Sequence, residues 1–409
     1  MPPTVTSEHV QKPDKATEVR PVADRKVALE RTLSLWSDVR ARGQRADEER
    51  RLPGETIEAL RANGLFGIAT PKKFGGSELG FGTLVEVSAT LASACGSTGW
   101  VFGVLTGHNW MVSLFPEQAQ KEVFADPRTL TATVFRLQGT TVKEKDGYRL
   151  TDGRGRFCSG IDYADWVIVG NAVQQADAAP EDRYFLVPKR DVEVIDDWHT
   201  VGMRGTCSRS IVIKDTFIPA YRTITSADAM RGTTPGAQLH GASSIYAVPF
   251  LVAQPFSLVG APLGIMAGAI EIFTQSLKKK VAAYTPAQIG EQGVTLARLA
   301  EAAANSDAAR GLVLADAAAV DSHAEFSRAD RTRILRNFAY AARTCRQVVT
   351  SLFEATGGSG IYNSSTEQRF WRDGNSCTAH TAFNWGLAAT EFARAALDLS
   401  PSEFLGPRR

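Results

Sequence analysis

Helix-forming and strand-forming segments of this chain do not alternate; they fall into three blocks, and that order constrains the fold more than any other feature. From Asp24 onward Val27, Leu29, Leu33, Leu35 and Trp36 recur at near-helical spacing on a charged background. A short helix is expected at 55–63, ended by Gly64, and Pro71-Lys-Lys-Phe-Gly-Gly76 is a turn cluster. Two more helices are predicted over 81–95 and 98–115, and Pro116 starts another. Near Arg128 the pattern changes. Segments 131–138, 165–173, 184–187 and 210–218 are short, β-branched and bounded by Gly, Pro or Asp, which predicts strands spaced like those of a barrel or sandwich. Beyond about residue 245 long helices return. Ile334, Phe338, Ala341, Cys345, Val348 and Leu352 step by three or four, with Arg331, Arg336, Arg343 and Arg346 between them. Further helices are predicted over 292–324 and 376–397. Segregated runs of this kind exclude an alternating βαβ sheet and make the class α+β.

The same pattern sets the expected boundaries: a polar tail over 1–24, a helical domain over 25–127, a β domain over 128–225 and a helical bundle over 226–400. Across the 409 residues, 46 basic against 44 acidic side chains leave a formal charge of +2, no electrostatic footprint for nucleic acid or an anionic membrane. No uninterrupted apolar run reaches the roughly 18 residues of a membrane span. The first 28 residues lack the apolar core of a signal peptide. Cys95, Cys158, Cys207, Cys345 and Cys377 are odd in number, far apart and form no CxxC, which fits reduced thiols. A cytoplasmic protein is expected.

Several chemistries lack their motifs. No GxGxxG follows a predicted strand, and there is no GxxxxGK[ST], so the chain has no sequence signature for NAD or a P-loop nucleotide. The six histidines, His9, His108, His199, His240, His323 and His380, form no HxxxH or HExxH pair, and no metal is expected. No GxSxG elbow occurs.

Three other segments carry a positive signal. They are Cys95-Gly-Ser-Thr-Gly-Trp100 continuing to His108-Asn-Trp110, then Phe157-Cys-Ser-Gly-Ile-Asp162 leading to Trp166, and Arg369-Phe-Trp-Arg-Asp373 leading to His380. With the 71–76 turn and Val201-Gly-Met-Arg-Gly205, the chain over about 25–400 resembles the acyl-CoA dehydrogenase fold: a helical N-terminal domain, a central β-barrel domain and a C-terminal four-helix bundle. Within that fold it is similar to the oxygenase components of two-component flavin monooxygenases, such as the hydroxyphenylacetate and steroid-phenol hydroxylases. The dehydrogenases of this fold need a carboxylate base. Here Asp373-Gly-Asn-Ser-Cys-Thr-Ala-His380 has no Glu, and the stretch from Ala253 to Ile270 has no acid.

The resemblance implies reduced FMN or FAD and O2 as cosubstrates, a C4a-hydroperoxide of the flavin as oxidant, and an aromatic or heteroaromatic substrate. It also implies a separate NAD(P)H:flavin reductase and a homotetramer built as two dimers. His108 corresponds to a histidine that faces the substrate, where an imidazole of pKa near 6.5 would hydrogen-bond or deprotonate a phenol; the plainer reading is a core histidine beside Trp110. Trp110, Val134 and Phe135 are the other expected substrate contacts, and Val134 in place of a serine favours a more apolar ring. Ser159 is expected near flavin N5, or else in an ST-turn before Gly160. His380 is expected against the ring from the bundle side, or else at a helix start packed on Trp385. Gly357, Gly358 and Ser359 resemble a loop that meets the flavin of a neighbouring subunit, or else form a helix C-cap. Arg204, on a loop with Thr206 and Ser208, is expected to border the flavin. Where the fold commonly has an arginine before the aromatic of the second bundle helix, this chain has Val281 before Tyr284, with Lys279 or Lys280 as the replacement charge. The alternatives are an N- or S-oxygenating relative, a degenerate acyl-CoA dehydrogenase, and a flavin-free scaffold for an apolar ligand.

Overall fold

The structure is a computed structural model and describes residues 19–175, 179–241, 244–282, 293–322 and 325–402. The first helical block is α1 (Arg25–Ala41), α2 (Gly43–Glu48), α3 (Gly54–Ala62), α4 (Phe81–Ala94), α5 (Gly96–Val112) and α6 (Glu117–Val123). Asp24 starts α1 by accepting the Val27 N–H at 2.9 Å. Helix α5 is buried on nearly every side, because α4, the β domain and the C-terminal bundle all lie against it.

The strands are β1 (Thr131–Val134), β2 (Gln138–Glu144), β3 (Gly147–Cys158), β4 (Trp166–Gln174), β5 (Glu181–Pro188), β6 (Glu193–Ile195), β7 (Arg209–Pro219) and β8 (Thr223–Thr225). They form one mixed sheet in the order β6-β7-β3-β2-β4-β5-β8, with β1 parallel to β4 on a branch. The barrel-like region expected from sequence is thus a sheet whose path ends at β6 and β8. The β2–β3 hairpin carries too many charges and glycines to show a period-2 pattern, and only Thr141 of β2 is buried. Arg149 of β3 ties it together from outside, bonding Glu144 at 2.8 Å and Asp215 at 2.9 Å.

After four short helices, α7 (Ser226–Arg231), α8 (Pro235–His240), α9 (Ser244–Ala247) and α10 (Phe250–Ala253), the bundle consists of α11 (Phe256–Ala282), α12 (Gly293–Ser322), α13 (Arg328–Glu354), α14 (Thr366–Cys377) and α15 (Trp385–Ala396). Helix α13 opens with a capping box between Ser327 and Asp330. The helix expected over 376–397 is two helices: α14 ends at Cys377, a 3₁₀ turn spans Thr381–Phe383, and α15 follows. His380 sits in that break and caps the 3₁₀ turn with its own ring. The stretch Phe250–Lys279 is long and apolar enough to cross a membrane, but 83% of its most apolar window is buried inside the protein, as for a core helix. All five cysteines are buried and free.

Helices α4, α5 and α11 meet almost backbone to backbone. A Cβ on Gly103 of α5 would stand 2.3 Å from the Ser257 carbonyl of α11, and one on Gly264 would stand 2.1 Å from the Ala89 carbonyl of α4. Neither neighbour is a flexible side chain, so Gly103→Ala must push two core helices apart, at a cost of about 1–3 kcal/mol or more. Gly311 of α12 is exposed and a Cβ there meets nothing within 4 Å; Gly311→Ala should stabilise by roughly 0.5–1 kcal/mol through helix propensity. Paired thermal melts check both signs, and equal melting of Gly103→Ala and wild type would refute the close-packing account.

Candidate active site

One cleft of about 1290 Å³ opens where the three blocks meet, bounded by α5, β1, β3, β7, the 198–208 loop, α11 and the break after α14. Its buried walls are largely apolar: Trp100, Val104, Val134, Met203, Ile211 and Leu258. Arg136, Arg154 and Arg156 line its exposed part. Asp197 is the one acid among the described lining residues, and its carboxylate is taken by the Ser210 N–H at 2.9 Å and hydroxyl at 2.5 Å.

The two histidines in this cleft have their ring hydrogens fixed by backbone partners. His108 Nδ1 lies 3.2 Å from the Thr131 carbonyl, which can only accept, so Nδ1 carries the hydrogen and Nε2 is an acceptor. Burial without a counter-charge pushes its pKa down to about 4, so the ring is neutral near pH 7. His380 is wired the opposite way. Its Nδ1 accepts the Ala382 N–H at 3.1 Å, so Nε2 carries the hydrogen and is a donor. Desolvation pushes its pKa down to about 4 as well. The His380 ring meets Trp100 edge-on with centroids 5.7 Å apart and Phe383 at 6.1 Å.

Ser159 follows a bulge at the end of β3, where Gly155 pairs Ile211 and Cys158 pairs Arg209 while Phe157 takes a left-handed φ of 63°. Its Oγ receives the Trp100 indole N–H at 3.2 Å and lies 2.7 Å from Ser208 Oγ. Ser208 Oγ is in turn 2.7 Å from Thr206 Oγ1, which donates to the Met203 carbonyl at 2.8 Å. Asp373 of α14 holds this loop by accepting the Met203 N–H at 2.6 Å. Its own pKa is pushed up to about 6, chiefly by burial. Thr133 Oγ1 is buried on the cleft wall with no partner.

Family models for the acyl-CoA dehydrogenase N-terminal domain and C-terminal domain match residues 36–128 and 257–385. An FADH(2)-dependent resorcinol hydroxylase, oxygenase component, of a Rhizobium species is 33% identical over 376 residues, 88% of this chain and 92% of that protein. The crystal structure of the HsaA monooxygenase from M. tuberculosis superposes with a TM-score of 0.86 at 30% identity, covering 93% of this chain and 99% of that one. XiaF from Streptomyces, solved with FADH2 and glycerol, gives a TM-score of 0.83 at 28% identity over 94% and 97%. The chain belongs to the flavin-dependent monooxygenase oxygenase components. The fold of this oxygenase is therefore the acyl-CoA dehydrogenase fold, and its cosubstrate is a reduced flavin.

The cleft suits that cofactor. A planar conjugated ring with N–H and C=O groups along its edge needs apolar faces with both an acceptor and a donor, and Ser159 and His380 Nε2 present these. Of the expected site residues, the structure brings His108, Val134, Phe135, Ser159 and His380 together on this cleft. Trp110 lies elsewhere: it is buried behind His108 and its indole donates to the Ile245 carbonyl at 2.8 Å, so it supports the wall rather than touching a ligand. Arg204 is also off the cleft. Its guanidinium is spent on the Asp47 carbonyl at 2.8 Å and the Thr200 carbonyl at 3.1 Å, so it braces the loop. Gly357, Gly358 and Ser359 sit exposed beyond α13, away from the cleft, with Gly357 at φ 72°. Tyr284 and the side chains of Lys280 and Val281 lie outside the described residues. Sequence reasoning passed over Trp100 and Thr133, and Ser208 and Thr206 reach Ser159 only through the β3–β7 pairing. Trp100 was findable, because it closes a motif already singled out.

The depressed histidine has a stability consequence. An unfolded histidine titrates near 6.5 and folded His108 near 4, so the unfolded state takes up a proton between these values and the folded state does not. Stability is unaffected above pH 6.5 and is lost as pH falls toward 4, by about 2 kcal/mol from His108 at pH 5. Denaturant titrations at pH 7.5 and 5 should show a smaller loss for His108→Gln than for wild type. Identical losses would mean that the ring titrates normally.

Proposed function

We propose that this oxygenase hydroxylates a neutral phenolic ring with dioxygen and reduced flavin supplied by a separate NAD(P)H-dependent reductase. The observation that carries the reading is the pair of opposed histidine tautomers, an acceptor at His108 and a donor at His380, across one apolar cleft. Bound reduced flavin supplies the oxygen activation. Trp100, Ser159 and His380 would hold its ring, with Ser159 accepting from a ring N–H. At the α5–β1 wall His108 Nε2 accepts a hydrogen bond from the substrate hydroxyl, raising electron density on the ring. A base of pKa about 4 does not take a phenol's proton outright at neutral pH; it orients the hydroxyl and polarises it. Val104, Val134, Phe135 and Leu258 keep water from that end. The described lining residues of that wall include no buried cation, which favours a neutral ring over one bearing a carboxylate. Relatives named with FADH2 support reduced FAD as the flavin.

The test couples the protein to a generic flavin reductase and NADH and offers a panel of phenols with reduced FAD or FMN. Wild type should hydroxylate at least one phenol, with a rate flat between pH 7 and 8, above the titration of both histidines and of Asp373. His108→Ala should lose about tenfold in hydroxylation, the order of one hydrogen bond, while still consuming oxygen and releasing hydrogen peroxide. A loss below threefold would remove the role of His108. Dye-linked oxidation of a saturated acyl-CoA at ordinary enzyme rates would overturn the whole reading, and the absence of an unengaged acid among the described lining residues argues against it.

We also propose a homotetramer. Ile361 and Tyr362, beside the Gly357–Ser359 loop, are 71% and 68% exposed, which supports a subunit contact there. Light scattering should report about four chains per particle, and a fully active monomer would refute the assembly.

A further inference from the structure

The hydroxyls beside Ser159 form a chain with only one possible direction. The Met203 carbonyl can only accept, so the single hydroxyl hydrogen of Thr206 is spent on it at 2.8 Å. Thr206 must therefore accept from Ser208, 2.7 Å away, and Ser208 must accept from Ser159, also at 2.7 Å. The Trp100 N–H, which can only donate, occupies one lone pair of Ser159 Oγ at 3.2 Å. Ser159 is left with one free lone pair and no hydrogen. It can present nothing to the cleft except an acceptor.

We propose that Ser208 and Thr206 are positioning residues that hold Ser159 as an obligate acceptor, so that the site selects reduced over oxidised flavin. The inference rests on the reading of Ser159 as the partner of the ring nitrogen N5. In reduced flavin that nitrogen carries a hydrogen, which Ser159 can accept. In oxidised flavin it carries a lone pair, which faces the lone pair of Ser159. An oxygenase that collects flavin from solution meets both forms, and this mismatch at Ser159 rejects the spent one; Thr206 and Ser208 also line the cleft, and their part in the selection is to fix the Ser159 hydrogen. Thr206 and Ser208 are buried, and the anchoring Met203 is itself clamped by Asp373. The direction of the chain is thus set by the fold and not by the ligand.

The test is the ratio of dissociation constants for oxidised and photoreduced FAD, measured by anaerobic titration of the full chain. One neutral hydrogen bond gained or lost corresponds to roughly two- to twelvefold. Ser208→Ala frees the Ser159 hydrogen to turn toward the cleft and should lower the ratio by that factor. The potential of bound flavin should fall correspondingly, by about 30 mV for a tenfold change. Ser208→Thr keeps the hydroxyl and should keep the ratio. Thr206→Val, which releases the anchor while conserving shape, should act in the same direction and serves if Ser208→Ala folds poorly. In a Ser159→Ala background Ser208→Ala should change nothing further. An unchanged ratio in both Ser208→Ala and Thr206→Val, or an equal effect of Ser208→Ala with Ser159 absent, overturns the relay while leaving the flavin site intact. A wild type that binds neither flavin form overturns the site and the relay together.

Discussion

The cleft depends on how closely α5 lies between α4 and α11. At Gly103 and Gly264 the helices pass with carbonyl oxygens where side chains would be, so the three axes are fixed by hard contact and not by adjustable side chains. Trp100, Val104 and His108 lie at four-residue intervals on α5, and all three reach the cleft. Leu258 and Gln254 reach it from the α10–α11 side. A helix that must touch two others at backbone distance has little freedom to slide or turn. The same contact that makes the core therefore sets where the acceptor of His108 points.

Backbone groups then decide what each polar side chain offers. A carbonyl makes His108 an acceptor, an amide makes His380 a donor, and a carbonyl two hydroxyls away makes Ser159 an acceptor. None of these assignments depends on a charged neighbour, and both histidines are neutral near pH 7 because burial disfavours the cation. The result is an active-site cleft organised by dipoles, and at its buried wall a hydrogen bond counts for more than in water. It also explains why the chain resembles a dehydrogenase in fold but not in chemistry. The Asp373 carboxylate, in the segment where a base would be sought, is turned to the Met203 amide and serves the loop.

Most of the fold was legible because helical periodicity survives in its long amphipathic helices; the Ile334–Leu352 pattern lies within α13. The β2–β3 hairpin was not, since its strands are half exposed and Arg149 holds them by surface charge. Nor was the break at His380, because the segment 378–384 contains no proline or glycine and the turn is made by side-chain capping. Within the site, residues inside contiguous motifs were legible, as His108, Ser159 and His380 show. Trp110, in the motif of His108, and Arg204, in the Val201–Gly205 segment, face away from the cleft, because a motif fixes proximity in sequence and not the direction of a side chain. Ser208 was expected only as part of a loop bordering the flavin, and its link to Ser159 comes from the β3–β7 register; Thr133 carries no motif, and it is marked only by an unpaired buried oxygen.

The strain around Ser159 shows how these levels are joined. Phe157, Met203 and Cys207 take φ values of 63°, 53° and 41°, a region that costs a non-glycine residue roughly 1–3 kcal/mol. All three border the hydroxyl chain, and none would hold this conformation unaided. The Thr206 carbonyl accepts the Gly160 N–H at 3.0 Å, Asp373 fixes the Met203 amide, and Arg209 forms an ion pair with Asp162, with Nε 3.1 Å from the carboxylate. Arg372 of α14 pairs with Asp47 at 2.8 Å and reaches the Val201 carbonyl at 2.5 Å. Gly202 lets the loop lie on α14, since a Cβ there would stand 2.4 Å from the Arg372 carbonyl. The clamp thus draws on α2, the β domain and the C-terminal bundle at once. A site built this way cannot form in any one block of the chain, and the three-part order seen first in the sequence is the condition for the cleft to exist.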